Sequence, residues 1–224
     1  NLSKYSPTFS IIQDTRTSKV PEQVLKSVIT SIITNHNKIV IKKDGLYGGK
    51  GVLVQDVDFN SKEEAIEYLS TLNEKGKIVI EDKLEGEEFS LMSLTDGNNN
   101  IQHFPPIQDY KRLLDNDRGK NTGGMGCIID SNNTLPFLNK EDIVEAEKIN
   151  EKVINKLNEN RYKNNNNLGY RGILYGSYIK CIDGSIKIIE FNARFGDPEC
   201  ILALSLLKTN FYKICKELIH GRLT

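Results

Sequence analysis

The sequence predicts an α+β protein, and three observations carry this prediction. Ser61 and Glu64 form a helix capping box before the apolar residues of an amphipathic segment. A second amphipathic pattern runs from Lys140 to Leu157. Near the end of the chain, "GILYGSYIKCI" and "SIKIIEFN" alternate apolar and polar residues on either side of "DG". Helices together with antiparallel hairpins in one chain indicate the α+β class.

The composition limits the classes of partner. The chain has 224 residues with 30 basic and 30 acidic side chains, so it carries no formal net charge. This balance argues against bulk attraction to nucleic acid or to an anionic membrane. No apolar run approaches the roughly 20 residues of a membrane helix, and the four cysteines lack a C-x-x-C spacing. We expect a cytoplasmic protein with small-molecule partners, no nucleic acid and no membrane.

The first third of the chain reads as a unit of its own. A helix is predicted near Pro21–Thr34, and strands are predicted at Lys38–Ile41 and Gly51–Val54. The capped helix follows, with Ala65, Ile66 and Leu69 on its apolar side. We therefore expect two subdomains, residues 1–80 and residues 81–224.

The rest of the chain is predicted to contain strands, one long polar loop and three helices. Strands are expected at Ile78–Glu81, Glu88–Thr95 and Ile101–Phe104, before a long polar loop from Gln108 to Asn133 whose glycines favour a functional role. The helix from Lys140 has one apolar side, made of Ile143, Ala146, Ile149, Val153, Ile154 and Leu157. An asparagine-rich stretch after it predicts a flexible surface connection. The hairpin with a two-residue "DG" turn comes next, and two helices end the chain, the second at about Phe211–Ile219.

A glycine-rich segment, "KKDGLYGGKGV", separates two of the predicted strands. It lacks the spacing of a P-loop, and a strand rather than a helix follows it. A glycine-rich hairpin loop lets backbone N–H groups approach phosphate oxygens closely, with Lys42 on the incoming strand and Lys50 in the loop. The segment thus indicates a phosphate-binding flap, although a hairpin with solvated lysines would produce the same pattern.

A metal strand is indicated by "EFNARFGDPE". Glu190 and Asn192 are two residues apart, so on a strand they face the same side and offer two oxygen ligands to a hard cation such as Mg²⁺. Arg194 continues the alternation if the strand persists. An amphipathic strand with a solvated face is the alternative interpretation.

Two further segments are polar and rich in glycine or acidic residues. "QDYKRLLDNDRGKNTGGMG" suits a backbone-lined pocket for an anion or polar substrate, and a solvated loop is the alternative. "IVIEDKLEGEEFSL" suits a nucleotide hinge, in which backbone groups contact adenine and a carboxylate binds ribose hydroxyls, although acidic hairpins are common.

In this order, the four segments resemble the ATP-grasp domain of phosphoribosylamine–glycine ligases, also called glycinamide ribonucleotide synthetases. "NTGGMG" with "EFNARFGDPE" is the most specific part of the resemblance. It implies an ATP-grasp fold in which a lid (1–80) and a catalytic half (81–224) hold ATP and Mg²⁺ or Mn²⁺ between them. It also implies that glycine is phosphorylated to glycyl phosphate, which the amine of phosphoribosylamine attacks to give glycinamide ribonucleotide, ADP and phosphate, a step of purine biosynthesis.

The resemblance also implies roles for individual residues. The catalytic residues would be Asp109, Lys111 and Arg194. The ATP-binding residues would be Lys42, Gly48, Gly49, Lys50, Gly51, Glu81, Leu84 and Glu88. The residues that bind the other substrates would be Arg112, Asn121, Thr122, Gly123, Gly124 and Asp197. The metal ligands would be Glu190 and Asn192.

The sequence departs from the family pattern in several places. Tyr110 stands where the family usually has histidine, "CIID" replaces "AYSP" after "GGMG", and Gly172–Ile182 contains no acidic residue. The family's N- and C-terminal domains have no counterpart here, so further domains of the same polypeptide are expected partners. The alternative function is a truncated or degenerate nucleotide-binding module without ligase activity. A ligase for another carboxylate and amine is the third.

Overall fold

The computed structural model describes residues 2–12, 21–45, 51–72, 76–98, 100–116, 118–159 and 169–223. The predicted flap residues Gly48, Gly49 and Lys50 lie outside the described residues, as does most of the asparagine-rich connection. The chain forms two compact units. The smaller is Pro7–Leu84, and the larger consists of the chain up to Ser6 and from Glu85 onward.

These bounds differ from the expected ranges 1–80 and 81–224 at two places. A strand runs through Ile78–Asp82, so a boundary after residue 80 would cut it. The first residues join the larger unit because the buried Tyr5 packs there, with its hydroxyl 2.5 Å from Glu145 Oε1. The roles of lid and catalytic half remain predictions.

The smaller unit is a four-stranded antiparallel sheet with two helices on one face. Its elements are β1 (Phe9–Ile12), α1 (Glu22–Thr34), β2 (Ile39–Lys43), β3 (Val52–Val54), α2 (Lys62–Thr71) and β4 (Ile78–Asp82), with strand order β1-β4-β2-β3. Ile39, Ile41 and Ile80 pack in the core with Ile29 and Ile33 of α1. The pairing of β2 with β3 confirms that the glycine-rich segment joins two antiparallel strands. Strand β1 was not predicted.

The capping box of α2 differs from the prediction in one of its two bonds. Glu64 N–H donates to Ser61 Oγ at 3.2 Å, as expected. The Glu64 carboxylate, however, accepts a hydrogen bond from the N–H of Asn60 at 2.8 Å, one residue earlier than the predicted partner. Both bonds still satisfy backbone donors at the helix start.

The larger unit is built on a second four-stranded sheet with helices on both faces. Its elements are β5 (Gly86–Asp96), β6 (Ile101–His103), β7 (Gln108–Asp109), β8 (Arg112–Leu114), β9 (Arg118–Asn121), β10 (Cys127–Ile128), α3 (Lys140–Glu159), β11 (Arg171–Cys181), β12 (Ile186–Asn192), α4 (Glu199–Ser205) and α5 (Phe211–His220). The sheet order is β12-β11-β5-β6, and all pairs are antiparallel. No helix among these described elements is long and apolar enough to cross a membrane.

The two faces of this sheet bury different sets of side chains. Phe89, Leu91 and Tyr178 pack with residues of α3. Met92 and Tyr175 point to the other face, where α4 and α5 contribute to the core. Strand β5 is therefore buried on both sides along most of its length.

The turn between β11 and β12 is one residue longer than predicted. Lys180 pairs with Ile186, and Cys181 N–H donates to Ser185 O at 2.9 Å, so the connection is 182–184. Gly184 has a φ of 86°, and its N–H bonds to Cys181 O. This is the geometry of a three-residue hairpin loop, in which Gly occupies the left-handed position. The two-residue "DG" turn was wrong because Ile182, apolar but highly exposed, belongs to the loop.

The buried side of α3 is partly polar. Ala146, Ile149 and Ile154 are buried as predicted, whereas Leu157 is 41% exposed and was assigned wrongly. Asn150 is fully buried and donates to Leu91 O and Ser93 Oγ at 3.0 and 2.7 Å, while accepting from the Tyr178 hydroxyl at 2.5 Å. Since these bonds satisfy its amide, the helix can bury Asn150 without a large desolvation penalty.

The polar loop after β6 contains short strands rather than irregular backbone. β7 pairs with β10 and β8 pairs with β9. Thr122 donates from both its N–H and its hydroxyl to Lys111 O at 2.8 Å, which folds the end of the loop back onto its start. Gly124 has a φ of 130°, and a Cβ there would lie 2.3 Å from Pro198 Cδ. The loop thus packs closely on the segment that precedes α4.

Truncating Ile154 to alanine should lower the free energy of unfolding far more than truncating Leu157. Ile154 is fully buried, so its loss leaves a cavity and should cost about 2–5 kcal/mol. Leu157→Ala is the matched control and should change stability by less than about 1 kcal/mol. Urea denaturation of both variants measures this difference, and equal losses would contradict the assignment of the buried face.

Replacing Gly124 by alanine should destabilise the loop, whereas the same change at Gly123 should not. A Cβ at position 124 would collide with Pro198, and the φ of 130° is unfavourable for alanine, so a cost of about 1–3 kcal/mol is expected. A Cβ at position 123 meets no atom within 4 Å. Thermal unfolding of the two variants tests the packing, and a Gly123→Ala variant as unstable as Gly124→Ala would refute it.

Candidate active site

A small polar cleft lies on the larger unit where β5 and β11 meet the loop after β6. The residues that line it are Glu88, Phe89, Ser90, Asp109, Lys111, Tyr175 and Ser177. The strand register explains much of this set, because Ser90 lies opposite Ser177 and Glu190 lies opposite Ser177 on the other side. Residues directly opposite one another in antiparallel strands share a face of the sheet. Strand β5 and the distant hairpin of β11 and β12 therefore bring their polar side chains to one place.

Lys111 provides the positive charge of this cleft. Its Nζ lies 2.9 Å from Glu88 Oε2. Burial disfavours the charged ammonium, but the surrounding carboxylates, first Glu88 and then Asp109, outweigh burial and raise the pKa of Lys111 above its ordinary value. Lys111 is therefore a fixed cation at neutral pH.

Asp109 is the carboxyl group of the cleft with the most altered acidity. Burial, followed by the negative charge of Glu199, raises the pKa of Asp109 to about 6, and the positive charge of Lys111 opposes this shift only in part. Its Oδ1 is buried and has no hydrogen-bond partner among the described residues. A carboxyl group in this state can change its protonation near neutral pH.

A buried pair of side chains behind the cleft was not predicted. The Tyr175 hydroxyl donates to Glu199 Oε1 at 2.7 Å, and Glu199 is only 1% exposed. Burial, together with this neighbouring carboxylate, raises the pKa of the Tyr175 hydroxyl. Glu199 ends the quoted motif "EFNARFGDPE", and the alternation of β11 places Tyr175 on the same face as Ser177. Both residues belong to patterns that are visible in the sequence, but neither pattern indicated that Tyr175 and Glu199 contact each other.

Glu190 and Asn192 lie on one face of β12, as the alternation predicted. Asn192 Nδ2 is 2.9 Å from Glu190 Oε1. Among the described residues, no three His, Cys, Asp or Glu side chains form a group that could hold a metal ion by itself. A carboxylate and an amide are nevertheless ligand types that fit Mg²⁺, which commonly takes one or two protein ligands together with substrate phosphates.

Arg194 does not extend the alternation of the metal strand. β12 ends at Asn192, and the Arg194 guanidinium donates to the carbonyl of the next residue at 2.7 Å. Its Cζ is 6.0 Å from the centre of the Tyr175 ring, so the guanidinium still lies beside a residue that lines the cleft. Strand β12 therefore does not continue to Arg194, as the prediction required, but the Arg194 side chain still lies near the cleft.

The predicted substrate residues fall into two groups. Asp197 and Gly124 meet directly, because a Cβ on Gly124 would lie 3.0 Å from Asp197 O and 3.2 Å from Asp109 Oδ1. Arg112 and Asn121 instead face each other across the β8–β9 hairpin. The Arg112 guanidinium donates to Gly119 O at 3.1 Å, so it braces that hairpin.

The smaller unit holds the other predicted nucleotide residues. Lys42 Nζ lies 2.6 Å from Glu81 Oε2, and both side chains are partly buried. The register places Lys42 beside Val79 and Val40 beside Glu81, on the sheet face opposite the helices. Gly51 accepts a hydrogen bond from Lys43 N–H before β3 begins, and Leu84 is the last residue of the unit.

Comparison with known proteins identifies the relatives of this chain. The family model of the phosphoribosylglycinamide synthetase ATP-grasp (A) domain matches residues 5–200. A phosphoribosylamine–glycine ligase of Methanosarcina barkeri is 43% identical over 185 residues, which are 83% of this chain and 41% of that protein. One of Methanococcoides burtonii is 36% identical over 218 residues, or 97% of this chain and 46% of that protein.

A solved structure gives the same result for the fold. The crystal structure of phosphoribosylamine–glycine ligase from Thermotoga maritima matches with a TM-score of 0.76 and 31% identity, over 98% of this chain and 52% of that one. This chain therefore spans about half the length of the relatives that it matches. The match to the family model over most of its residues, together with the two antiparallel sheets and their motifs, establishes that this chain belongs to the phosphoribosylglycinamide synthetase ATP-grasp domain family.

Proposed function

We propose that this chain is the ATP-grasp portion of an enzyme that joins glycine to 5-phosphoribosylamine, with ATP converted to ADP and phosphate. The observation that carries the proposal is that relatives named phosphoribosylamine–glycine ligase match as much as 97% of the chain. The polar cleft supports it, since it combines a fixed cation with a carboxyl group that can exchange a proton. Glycyl phosphate is the proposed intermediate.

A carboxylate is a poor electrophile, and phosphorylation would convert the glycine carboxylate into one that an amine can attack. Cations near the transferring phosphoryl group would stabilise its charge. Lys111 is the cation that the cleft holds in place, and Arg194 lies beside its wall. We assign Lys111 and Arg194 to this role. We assign Asp109 to contact the amine that attacks the phosphorylated glycine afterwards.

Glu190 and Asn192 are the proposed ligands of Mg²⁺ or Mn²⁺. The bound ion would neutralise phosphate charge and orient the transferring group. Glu190 lies opposite Ser177 and Asn192 lies opposite Tyr175, so both proposed ligands are on the face of the sheet that carries the cleft. The two side chains would hold the ion together with oxygen atoms of the nucleotide.

The proposed nucleotide contacts include residues of both units. In the smaller unit, Lys42 would bind phosphate, Gly51 with the rest of the glycine-rich segment would cover it, and Glu81 and Leu84 would contact adenine. The ion pair to Glu81 holds the Lys42 ammonium on the open face of its sheet. In the larger unit, Glu88 would bind the ribose.

The loop from Lys111 to Gly124 is the proposed contact for glycine and phosphoribosylamine. Thr122 fixes the loop end to Lys111, and Gly123 and Gly124 present backbone rather than side chains. Asp197 adjoins Gly124. Arg112 and Asn121 lie on the hairpin that follows Lys111, where they would reach the phosphate of phosphoribosylamine.

The alternative remains a nucleotide-binding module without ligase activity, and Tyr110 is the residue that motivates it. Its hydroxyl donates to Leu114 O at 2.5 Å, within the β8–β9 hairpin. Tyr110 does not line the cleft. Tyr110 in place of the family's histidine therefore affects the support of the β8–β9 hairpin and not the polar residues that line the cleft.

The protein encoded by the complete coding sequence should release ADP from ATP only when glycine and phosphoribosylamine are both present. A coupled assay of ADP, with Mg²⁺ in every reaction and each substrate omitted in turn, tests this. Glycine-independent turnover, or turnover with a different amino acid, would contradict the proposed substrate. Calorimetry that detects ATP binding without any ADP release would favour the module without ligase activity.

Glu190→Ala should reduce Mg²⁺-dependent turnover by at least about 100-fold, because it removes a proposed ligand of the ion. The fold should persist, since Glu190 is exposed. Glu87→Ala is the matched control, as it removes an exposed carboxylate from the same sheet outside the cleft lining. Activity and its Mg²⁺ dependence are measured for both variants. Activity of Glu190→Ala within a few-fold of wild type would refute the metal assignment.

A further inference from the structure

Glu199 is a buried carboxylate to which the proposed reaction assigns no role. Its side chain is almost completely enclosed, with one oxygen bound by the Tyr175 hydroxyl. The other oxygen packs closely on Gly196, since a Cβ there would be 2.5 Å from Glu199 Oε2. Burying a carboxylate is costly unless it is hydrogen-bonded, so a neutral side chain would serve a merely structural role at lower cost.

The segment that carries Glu199 packs against Asp109 through Gly124. Gly124 is the contact between them, since its Cβ position is within 3.2 Å of Asp109 Oδ1 and 2.3 Å of Pro198 Cδ. Tyr175 extends from Glu199 to the cleft that Asp109 lines. Glu199 is thus linked to Asp109 through two neighbours.

The charges that face Asp109 are mostly negative. Glu199 contributes most to the raised pKa of Asp109 after burial, and Glu88 and Asp197 add smaller effects of the same sign. Lys111 is the cation that opposes them. Cys127, which pairs with Asp109 between β10 and β7, has a pKa raised by burial and contributes no charge at neutral pH.

We propose that Glu199 is a positioning residue of the ligase reaction: its buried carboxylate, held by the Tyr175 hydroxyl, keeps Asp109 able to take up the proton that the attacking amine loses. This inference rests on the proposed function and adds a residue to it. Asp109 would touch the substrate, and Glu199 would act through Asp109.

Amide bond formation releases phosphate and one proton. The amine nitrogen of phosphoribosylamine forms a bond to the carbonyl carbon of glycyl phosphate. The bond from that carbon to the phosphate oxygen breaks, and phosphate leaves with the electron pair. The nitrogen loses one proton, which the Asp109 carboxylate accepts and later returns to solvent. A base is most effective when its pKa lies near the working pH, and an aspartate of ordinary acidity would be a weaker acceptor.

Glu199→Gln tests the proposal, because it removes the charge and retains both the size of the side chain and an acceptor for Tyr175. The titration of Asp109 is followed by NMR in protein labelled with ¹³C at the aspartate carboxyl groups, with Asp109→Asn used to assign the signal. The wild-type midpoint is expected at about 6. In Glu199→Gln it should fall by about one unit.

The same shift should appear in catalysis by the protein from the complete coding sequence. The acidic limb of the kcat/KM profile should move to lower pH with Glu199→Gln, since Asp109 then stays deprotonated at lower pH. The rate at the plateau should fall by about tenfold, because the base is weaker. A structural defect would lower the rate without moving the limb.

Glu145→Gln is the matched control. Glu145 also accepts a hydrogen bond from a tyrosine, Tyr5, but lies on α3, against the other face of the sheet. It undergoes the same change of charge and should leave the Asp109 midpoint within about 0.2 units. Tyr175→Phe is the second variant: it removes the hydrogen bond that holds the Glu199 carboxylate in place, so the Asp109 midpoint should again fall.

An unchanged midpoint in folded Glu199→Gln would overturn the inference. A wild-type midpoint near that of an ordinary aspartate would also overturn it, even if neither variant folds. Because the titration needs no turnover, its outcome is separate from that of the proposed function. Absence of glycine-dependent ADP release would refute the function, whereas an active enzyme with an unshifted midpoint would refute only the role of Glu199.

Discussion

The pairing of β5 with β11 is the constraint on which the candidate site depends. The two strands pair along their whole length, from Arg171 with Asp96 to Cys181 with Gly86. A shift by one residue would turn every side chain to the opposite face. The apolar residues that pack on α3 therefore fix the register, and the same register places Tyr175 and Ser177 beside Met92 and Ser90. Core packing on one face thus positions polar groups on the other.

The electrostatic character of the cleft follows from the grouping of several carboxylates around one cation. The chain as a whole has no net charge, but Lys111 is surrounded by Glu88, Asp109 and Glu190, whose charges act on it. The result is a lysine held charged and an aspartate with a pKa near 6 within the same loop. Environments that favour the neutral form of one group and the charged form of its neighbour are common at catalytic sites, because acid, base and electrostatic roles need different protonation states.

Membership of the ATP-grasp domain family agrees with the two separate units and their motifs. In the smaller unit, helix packing buries one sheet face and leaves the other to carry Lys42 and Glu81. In the larger unit, β12, which carries the proposed metal ligands, adjoins the cleft through β11. The relatives are about twice as long as this chain, so the proposed reaction belongs to a protein of that length.

Elements whose signals are local could be predicted from the sequence. Apolar periodicity predicted α1, α3 and the paired strands β11 and β12, and the glycine-rich segment was recognised as a hairpin loop. Local signals were weakest where only one or two residues decide the length of a turn or the extent of the buried side of a helix. Ile182 is apolar but belongs to a turn, and Leu157 follows the helical pattern but is exposed, whereas its neighbour Asn158 is buried.

The contacts between distant residues depend on the three-dimensional packing. β1 has no strong pattern of its own and becomes a strand because β4 offers it an edge. Tyr175 and Glu199 are 24 residues apart, and Lys111 and Glu88 are 23 apart, so no periodicity relates them. Their contacts arise from the register of long-range strand pairs and from the packing of Gly124 on Pro198. Burial, which sets the acidity of Asp109, is a property of that packing and cannot be determined from neighbouring residues in the chain.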